Sequence, residues 1–364
     1  MMDTEDKYLH FPPYSERVWI DVRSPEEYAH GHIPGAHNIP LFTDEEREKV
    51  GTTYVTIGRK EAVTEGLTYV GNKLHTFESQ LLSILQKEQK NRVMVYCARG
   101  GMRSESMGWL FKLYNHDVEV FPRGFSGFKK LLPQYVAKIS KLVLLDGPTG
   151  AGKTDLLLEM KRAGAQVIDL EGIAHHKGSA FGYYADRTQP TNEMIYSEIV
   201  VQLSRMDMSH PIFLESESKK IGSREVPDVL FNKMQNGFLM TVESPKTERI
   251  KRIMDGYSQL PQEMLTEAFE KIKKRLGANE MQEAIRLVQA KDYQGAIQIA
   301  LHYYDKAYDQ SAEKLWRGRH TGKVIHTTEN TAKIATEIIQ TTEQWFSSSH
   351  TTPKKVQIFC CKDL

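Results

Sequence analysis

Cysteine is scarce in this chain: three among 364 residues, with Cys360 and Cys361 adjacent near the end. Three thiols cannot build a disulfide framework, so a packed core must supply the stability and the thiols are expected to be reduced. Long apolar runs are also missing. The run Leu142 to Leu145 is far too short to cross a bilayer. Met1 to Asp6 is acidic and carries no apolar stretch, unlike a secretory leader. The expectation is a cytoplasmic protein with no membrane partner. Neither charge sign is in excess: 48 Lys+Arg oppose 47 Asp+Glu. The balance holds on division, 18 against 18 in residues 1–140 and 30 against 29 beyond. No half is a basic arm or an acidic tail, so any RNA contact must come from a local patch. At this length, with 40% hydrophobic residues, two domains are expected.

What is present is a repeated alternation of short apolar runs and helical stretches. Val18 to Val22 reads as a buried strand, followed by Ser24-Pro25-Glu26-Glu27. A capping hydroxyl, a proline at the first helical position and two acids at the positive helix end mark a helix start. Ala36 to Pro40 forms a second strand. Residues 61–90 carry Leu67, Val70, Leu74, Phe77, Leu81, Leu82 and Leu85 at helical spacing. Strand Arg92 to Tyr96, helix Ser104 to Tyr114 and strand Val118 to Phe121 complete a parallel α/β unit. A second series starts at Leu142, with strands expected at Leu142–Asp146, Gln166–Leu170, Ile212–Glu215, Phe238–Val242 and Val324–His326. Residues 246–316 read as almost wholly helical, with breaks at Gly277 and Gly295. The fold class is therefore α/β, with units at 1–138 and 139–346, the latter carrying a helical part, and a flexible tail at 347–364.

Two loops carry the chemistry. The first is Tyr96-Cys97-Ala98-Arg99-Gly100-Gly101-Met102-Arg103-Ser104. A strand delivers Cys97 onto a loop bearing Gly100 and Gly101, and a helix follows. Amides of such a loop converge on one point, where the helix N-terminus adds positive potential. Arg99 and Arg103 add two cations, so Cys97 is expected as a thiolate nucleophile beside an oxyanion cradle. The second is Gly147-Pro148-Thr149-Gly150-Ala151-Gly152-Lys153-Thr154, between a strand and a helix. Gly147, Gly150 and Gly152 let the backbone wrap a diphosphate. Lys153 supplies charge, and Thr154 can ligate Mg²⁺. Carboxylates for a metal stand at Asp169, Glu171, Glu215 and Glu217. His175 and His176 lack partners at zinc-ligand spacing, so no zinc site is expected.

Asp21-Val22-Arg23, Glu26, Glu27-Tyr28, Gly31-His32-Ile33-Pro34-Gly35-Ala36 and the Cys97 loop resemble the rhodanese family over about residues 8–125. Cys97 to Arg103 also has the Cys-x5-Arg spacing of cysteine phosphatases, but Tyr96 stands where those carry histidine. With the P-loop, the strings Asp169 to Gly182 and Leu214 to Gly222, and Tyr303-Tyr304-Asp305 with Tyr308, the chain resembles the bacterial tRNA 2-selenouridine synthase family over roughly residues 8–346. Ala98 departs from that family's tryptophan, and Lys306 from its proline.

The resemblance implies a tRNA-modifying transferase. Wobble 2-thiouridine would first be geranylated on sulfur from geranyl diphosphate, and the S-geranyl group then replaced by selenium from selenophosphate. It implies that Cys97 accepts selenium as a selenosulfide while Arg99, Arg103 and the loop amides hold selenophosphate oxyanions. Lys153, with Mg²⁺ on Thr154, would stabilise departing pyrophosphate. No tightly bound cofactor is implied. Implied partners are tRNA and the enzyme that makes selenophosphate. Basic helices bearing Lys246, Arg249, Lys251 and Arg252, and Lys271, Lys273, Lys274 and Arg275, are candidates for RNA phosphates. Tyr183, Tyr184, Tyr303 and Tyr304 are candidates for base stacking. The alternative is an ATP-dependent small-molecule kinase fused to a rhodanese sulfurtransferase. A third reading is a docking module, which has no use for an intact Cys97 and Lys153.

Overall fold

Apolar runs flanked by helices form two all-parallel sheets in the computed structural model, which describes residues 16–178, 188–257, 260–315, 321–325, 330–347 and 356–357. The first unit comprises β1 (Arg17–Asp21), α1 (Pro25–His30), β2 (His37–Asn38), α2 (Asp44–Thr56), α3 (Arg59–Val70), α4 (Leu74–Glu88), β3 (Arg92–Tyr96), α5 (Met102–Leu113), β4 (Asp117–Val120) and α6 (Gly124–Lys129). Its sheet has the order β2-β1-β3-β4. Register is set by Val18 beside Val93 and Val93 beside Val118. One face packs Val18, Ile20 and Val95 on Phe77 and Leu81 of α4 and on Met107 and Phe111 of α5. The other face holds Trp19, edge-on to Phe121 at 5.3 Å. Both faces are covered, which is why these strands read as continuous apolar runs.

The stretch expected as one helix over 61–90 is two. A 3-10 turn at Gly71–Lys73 separates α3 from α4. Helix α2 has no counterpart in the expectations. Its periodicity is weak and it buries no side chain, so only its Thr43 cap, whose Oγ accepts from Glu46 N–H, marked it.

The helix α7 (Leu131–Lys138) leads to the second series: β5 (Leu142–Asp146), α8 (Lys153–Arg162), β6 (Gln166–Ile168), α9 (Leu170–Ala174), α10 (Asn192–Ser204), β7 (Ile212–Glu215), β8 (Lys220–Ile221), β9 (Arg224–Glu225), α11 (Asp228–Met234), β10 (Phe238–Glu243), α12 (Lys246–Tyr257), α13 (Gln262–Leu276), α14 (Ala278–Gln289), α15 (Tyr293–Leu315), β11 (Thr321–Ile325), α16 (Thr331–Ser347) and β12 (Val356–Gln357). The second sheet runs β12-β11-β10-β5-β7-β6, all parallel, with a short antiparallel β8-β9 ribbon apart from it. Its core joins Val143 and Leu145 to Leu156, Met160, Ile334 and Ile338. Helices α13 to α15 enclose their own core around Phe269, Ala284, Val288 and Leu301.

Gly277 ends α13 with φ +106°, as expected, but Gly295 lies inside α15. The break falls instead at Ala290 to Asp292. Lys291 takes φ +60°, and Asp292 Oδ1 accepts from Gly295 N–H at 3.0 Å, capping the new helix. Helix α10, read as part of the second series, clusters with the first unit. There Tyr196 donates to Lys129 O at 2.7 Å. Val356–Gln357, within the segment read as a tail, pairs with Gly322–Lys323 as an edge strand. Residues 8–15, the string 179–182, Tyr183, Tyr184, His326, and Cys360 with Cys361 lie outside the described residues. No described helix is long and apolar enough to cross a membrane.

A buried ion pair anchors the end of β1. Asp21 is 0% exposed and Arg23 5%. Arg23 Nη2 donates to Asp21 Oδ2 and to Gly31 O, both at 2.6 Å, and its guanidinium carbon lies 4.2 Å from the Phe125 ring centroid. Removing one member leaves an uncompensated charge in the interior. Asp21→Ala should therefore cost about 3–5 kcal/mol in urea unfolding of the full chain. Adding Arg23→Met should recover part of that loss, which a simple packing defect would not allow.

Candidate functional site

Cys97 follows β3 directly and is 3% exposed. Ser104 Oγ, on the first turn of α5, donates to its sulfur at 3.2 Å. Burial pushes the thiol up, but the Ser104 hydroxyl and the N–H groups of Arg99, Gly101 and Ser104 outweigh it. The net position lies below an ordinary thiol. Converging amides were expected from the sequence; Ser104 was expected only as a helix start.

The loop is held from behind by the start of α6. Phe125 and Ser126 N–H donate to Cys97 O at 2.8 Å and Ala98 O at 2.9 Å. This close approach requires glycine. A Cβ on Gly124 would lie 2.1 Å from Cys97 O, and one on Gly100 2.5 Å from Arg123 N, both at positive φ. The two expected cations differ. Arg99 is exposed, whereas Arg103 forks onto Glu27 at 2.6 and 3.4 Å. Burial pushes Glu27 up, and the Arg103 contacts more than offset it, leaving a carboxylate below its usual range. Half of the expected guanidinium charge is thus neutralised by an acid that the sequence marked only as a helix start. Cys97, Ala98, Arg99 and Gly101 lie on the wall of a largely apolar cavity of about 940 Å³.

The second loop leaves β5 and enters α8. Gly147, Gly150 and Gly152 have φ of +146°, +78° and +85°. A Cβ on Gly147 would lie 2.3 Å from Val242 O. Lys153 Nζ reaches back to Gly147 O at 2.9 Å, closing a ring of backbone sized for an anion. Thr154 Oγ1 lies 2.6 Å from Glu215 Oε1 and 3.0 Å from Glu171 Oε2.

Three of the four candidate carboxylates meet here: Glu171, Glu215 and Glu217 offer oxygens within 4.8 Å of one another. Asp169 does not join them; its Oδ1 accepts from Gly172 N–H at 2.7 Å and caps α9. Burial, then mutual repulsion, pushes Glu171 and Glu215 up to about 8 and Glu217 to about 7. Glu215 is 0% exposed and its Oε2 has no hydrogen-bond partner. A hydroxyl, three crowded oxygen donors and an unpaired buried carboxylate oxygen form a donor set that suits Mg²⁺.

Two arginines expected at an RNA surface are turned inward. Arg249 is buried; it donates to Thr149 O at 2.8 Å and pairs with Asp305. Arg252 donates to Gly150 O at 3.2 Å and Ser244 Oγ at 2.9 Å, and lines the cleft beside Lys153. The P-loop sits against α12, so residues on that face are drawn to its carbonyls. Lys251, Lys273, Lys274 and Arg275 remain exposed. Tyr304 lines the same cleft, edge-on to Tyr303 at 4.9 Å, and Tyr308 donates to Asp146 Oδ2 at 2.7 Å.

Comparison with known proteins places this geometry in context. Residues 140–338 match the family described as tRNA 2-selenouridine synthase AAA domain, and residues 12–131 match the rhodanese-like domain. A tRNA 2-selenouridine synthase of Shewanella pealeana is 31% identical over 342 residues, covering 83% of this chain and 92% of that protein. One from Shewanella woodyi is 30% identical, covering 83% and 91%. One from Nitrosomonas europaea is 33% identical over 245 residues, covering 65% and 63%.

The carboxylate cluster gives a pH-dependent prediction. Each raised carboxyl keeps its proton to higher pH when folded than when unfolded, where it titrates near pH ~4.3. Its contribution to stability is full below that pH and is lost as pH rises toward 7–8. In EDTA the urea midpoint should therefore fall from pH 5 to pH 8. Mg²⁺ at 100 times its Kd should restore about 2.7 kcal/mol at pH 8. Glu215→Gln should remove most of that Mg²⁺ response.

Proposed function

Because the chain belongs to the tRNA 2-selenouridine synthase family, we propose that it converts the wobble 2-thiouridine of tRNA into 2-selenouridine through an S-geranyl intermediate. The observation that carries this reading is the mixed polar and aliphatic lining of the cleft at the P-loop, about 480 Å³ in volume. Its lining combines Gly150, Lys153, Thr154 and Arg252 with Ile253, Leu260, Ile297, Ala300 and Leu301. Phosphate-binding groups beside aliphatic side chains fit geranyl diphosphate better than they fit a small polar kinase substrate. That contrast favours the transferase over the kinase alternative.

The chemistry follows from the two cradles. Sulfur at C2 of 2-thiouridine is a poor leaving group as a thione, and alkylation makes it a thiol leaving group. Lys153, Arg252 and the loop amides would stabilise the pyrophosphate that departs as the sulfur is alkylated. Mg²⁺, held by Thr154 with Glu215, Glu171 and Glu217, would supply further positive charge there. In the second step the C2–S bond breaks, a C2–Se bond forms and sulfur leaves as geranylthiol. Hydrolysis of the P–Se bond then releases phosphate.

Selenophosphate already carries reduced selenium, so the net exchange needs no oxidant. The selenosulfide form of Cys97 would need one. In the redox-neutral version the Cys97 thiolate attacks C2 and expels geranylthiolate; selenophosphate selenium then displaces Cys97. Arg99 and the amides of the Cys97 loop would hold the selenophosphate oxyanions. Selenophosphate itself would come from a partner enzyme in the cytoplasm.

Two outcomes test this reading. Cys97→Ser should abolish selenation while S-geranyl-2-thiouridine accumulates, and Lys153→Ala should lower geranylation about 10²- to 10³-fold. Both are read by mass spectrometry of tRNA nucleosides. Phosphoryl transfer from ATP to a small molecule without RNA would support the kinase instead. For tRNA binding, alanine in place of Lys251, Lys273, Lys274 or Arg275 should flatten the slope of log K against log salt by about one for each phosphate released. Charge-reversed variants with an unchanged slope would place the RNA elsewhere.

A further inference from the structure

The apolar cavity beside Cys97 is not required by the anion chemistry of its loop. Helices α2 and α3 wall it, and they pack unusually little. The 13 residues of α2 bury no side chain, and the 12 of α3 bury only Ala62 and Gly66. Tyr54, Val55 and Leu67 are 57%, 84% and 66% exposed. Monomeric domains seldom leave such a group of large apolar residues to water without a ligand for it. The volume of about 940 Å³ falls within the range of small-molecule pockets. The lining also includes Arg59 and Arg99, both exposed, while Arg47 lies 3.7 Å from Glu27. A largely apolar lining that includes exposed arginines and the Cys97 sulfur complements a polyanion bearing an apolar appendage.

We propose that this cavity is a hydrocarbon-binding chamber that receives the S-alkyl chain of the nucleoside during the exchange at Cys97. The assignment rests on the function proposed above and adds a second prenyl site to it, separate from the aliphatic wall of the P-loop cleft. It places the chain that leaves with sulfur in an apolar enclosure beside the attacking group, and makes chain length a determinant of binding. Ala98 contributes a small side chain to this wall, next to the sulfur.

Gly51 offers a clean probe. It lines the cavity within α2, and a Cβ there would meet nothing within 4 Å. Gly51→Phe adds an aromatic side chain to the cavity lining without loss of helix propensity. Leu67→Asp, at an exposed site, should make the chamber polar. Anticodon stem-loop RNAs carrying S-geranyl- or S-methyl-2-thiouridine are offered to the full chain with selenophosphate. Wild type should show a KM at least about tenfold lower for the geranyl substrate. Both variants should bring the ratio of the two KM values close to one.

In parallel, an anilinonaphthalene sulfonate probe should be displaced by geraniol from wild type and should bind Gly51→Phe poorly. A KM ratio unchanged in both variants, or a probe indifferent to geraniol, would overturn the chamber. If wild type selenates neither RNA while geraniol still displaces the probe, the proposed reaction falls and the hydrocarbon site stands. Retention of the probe site together with capture by an amphipathic peptide, but not by geraniol, would make the groove a protein-docking surface and end the proposal.

Discussion

A helix N-terminus held at the carboxyl end of an interior parallel strand is the constraint on which the remaining features depend. In each unit an interior strand, β3 or β5, runs into a loop whose amides turn toward one point before a helix begins. A parallel sheet aligns its strands so that such loops gather at one edge, where ligands of α/β folds bind. The positive potential of the loop is then a property of the backbone and needs few side chains to produce it. Glycines at positive φ are the cost, because neither loop could close around a Cβ: Gly124 abuts Cys97 O and Gly147 abuts Val242 O.

Side chains behind each loop convert that potential into a fixed geometry. Around the P-loop, three contacts come from residues far along the chain. Arg249 and Arg252 of α12 hold the carbonyls of Thr149 and Gly150, and Tyr308 of α15 holds Asp146 at the end of β5. Asp305 in turn orients Arg249. The string Tyr303-Tyr304-Asp305 with Tyr308 therefore has a physical reason: it links the helical part to the loop it covers. Asp21 and Arg23 play the corresponding part in the first unit, fixing the chain from β1 to Gly31.

How much of this was legible follows from the range of each interaction. The strands of both sheets, apart from β12 in the segment read as a tail, and the two loops could be read directly, because apolar runs and glycine spacing are local signals. The join between α3 and α4 was missed because the leucine periodicity continues through the 3-10 turn. Gly295 misled because glycine was read as a breaker, whereas here its N–H donates to the Asp292 carboxylate that caps the helix. Which carboxylates meet was beyond reach. Asp169 and Glu171 are two residues apart, yet one caps a helix and the other joins Glu215 and Glu217 across the sheet. Arg249 and Arg252 looked like a solvated basic face, since nothing local reveals that the P-loop lies against it. Ser104 and Glu27 were quoted in the relevant strings, but their roles depend on contacts with Cys97 and Arg103.

The two loops differ in charge, a difference that would suit the two steps of the proposed reaction. At Cys97 the amides of Arg99, Gly101 and Ser104 and the Ser104 hydroxyl hold the thiol below its ordinary range on the wall of an apolar cavity, with Arg103 already neutralised by Glu27. That is enough charge for a monophosphate-like oxyanion, and no carboxylate cluster stands beside it among the described residues. At Lys153 the positive groups are stronger, yet three carboxylates crowd the same point, two of them raised to about 8 by burial and repulsion. Such a cluster is costly alone and favourable around a divalent cation. A departing diphosphate carries enough negative charge to need both that cation and Lys153, whereas a thiol leaving group needs neither. On the proposed reaction, the uneven distribution of acids between the loops would assign the ionising step to Lys153 and the exchange step to Cys97.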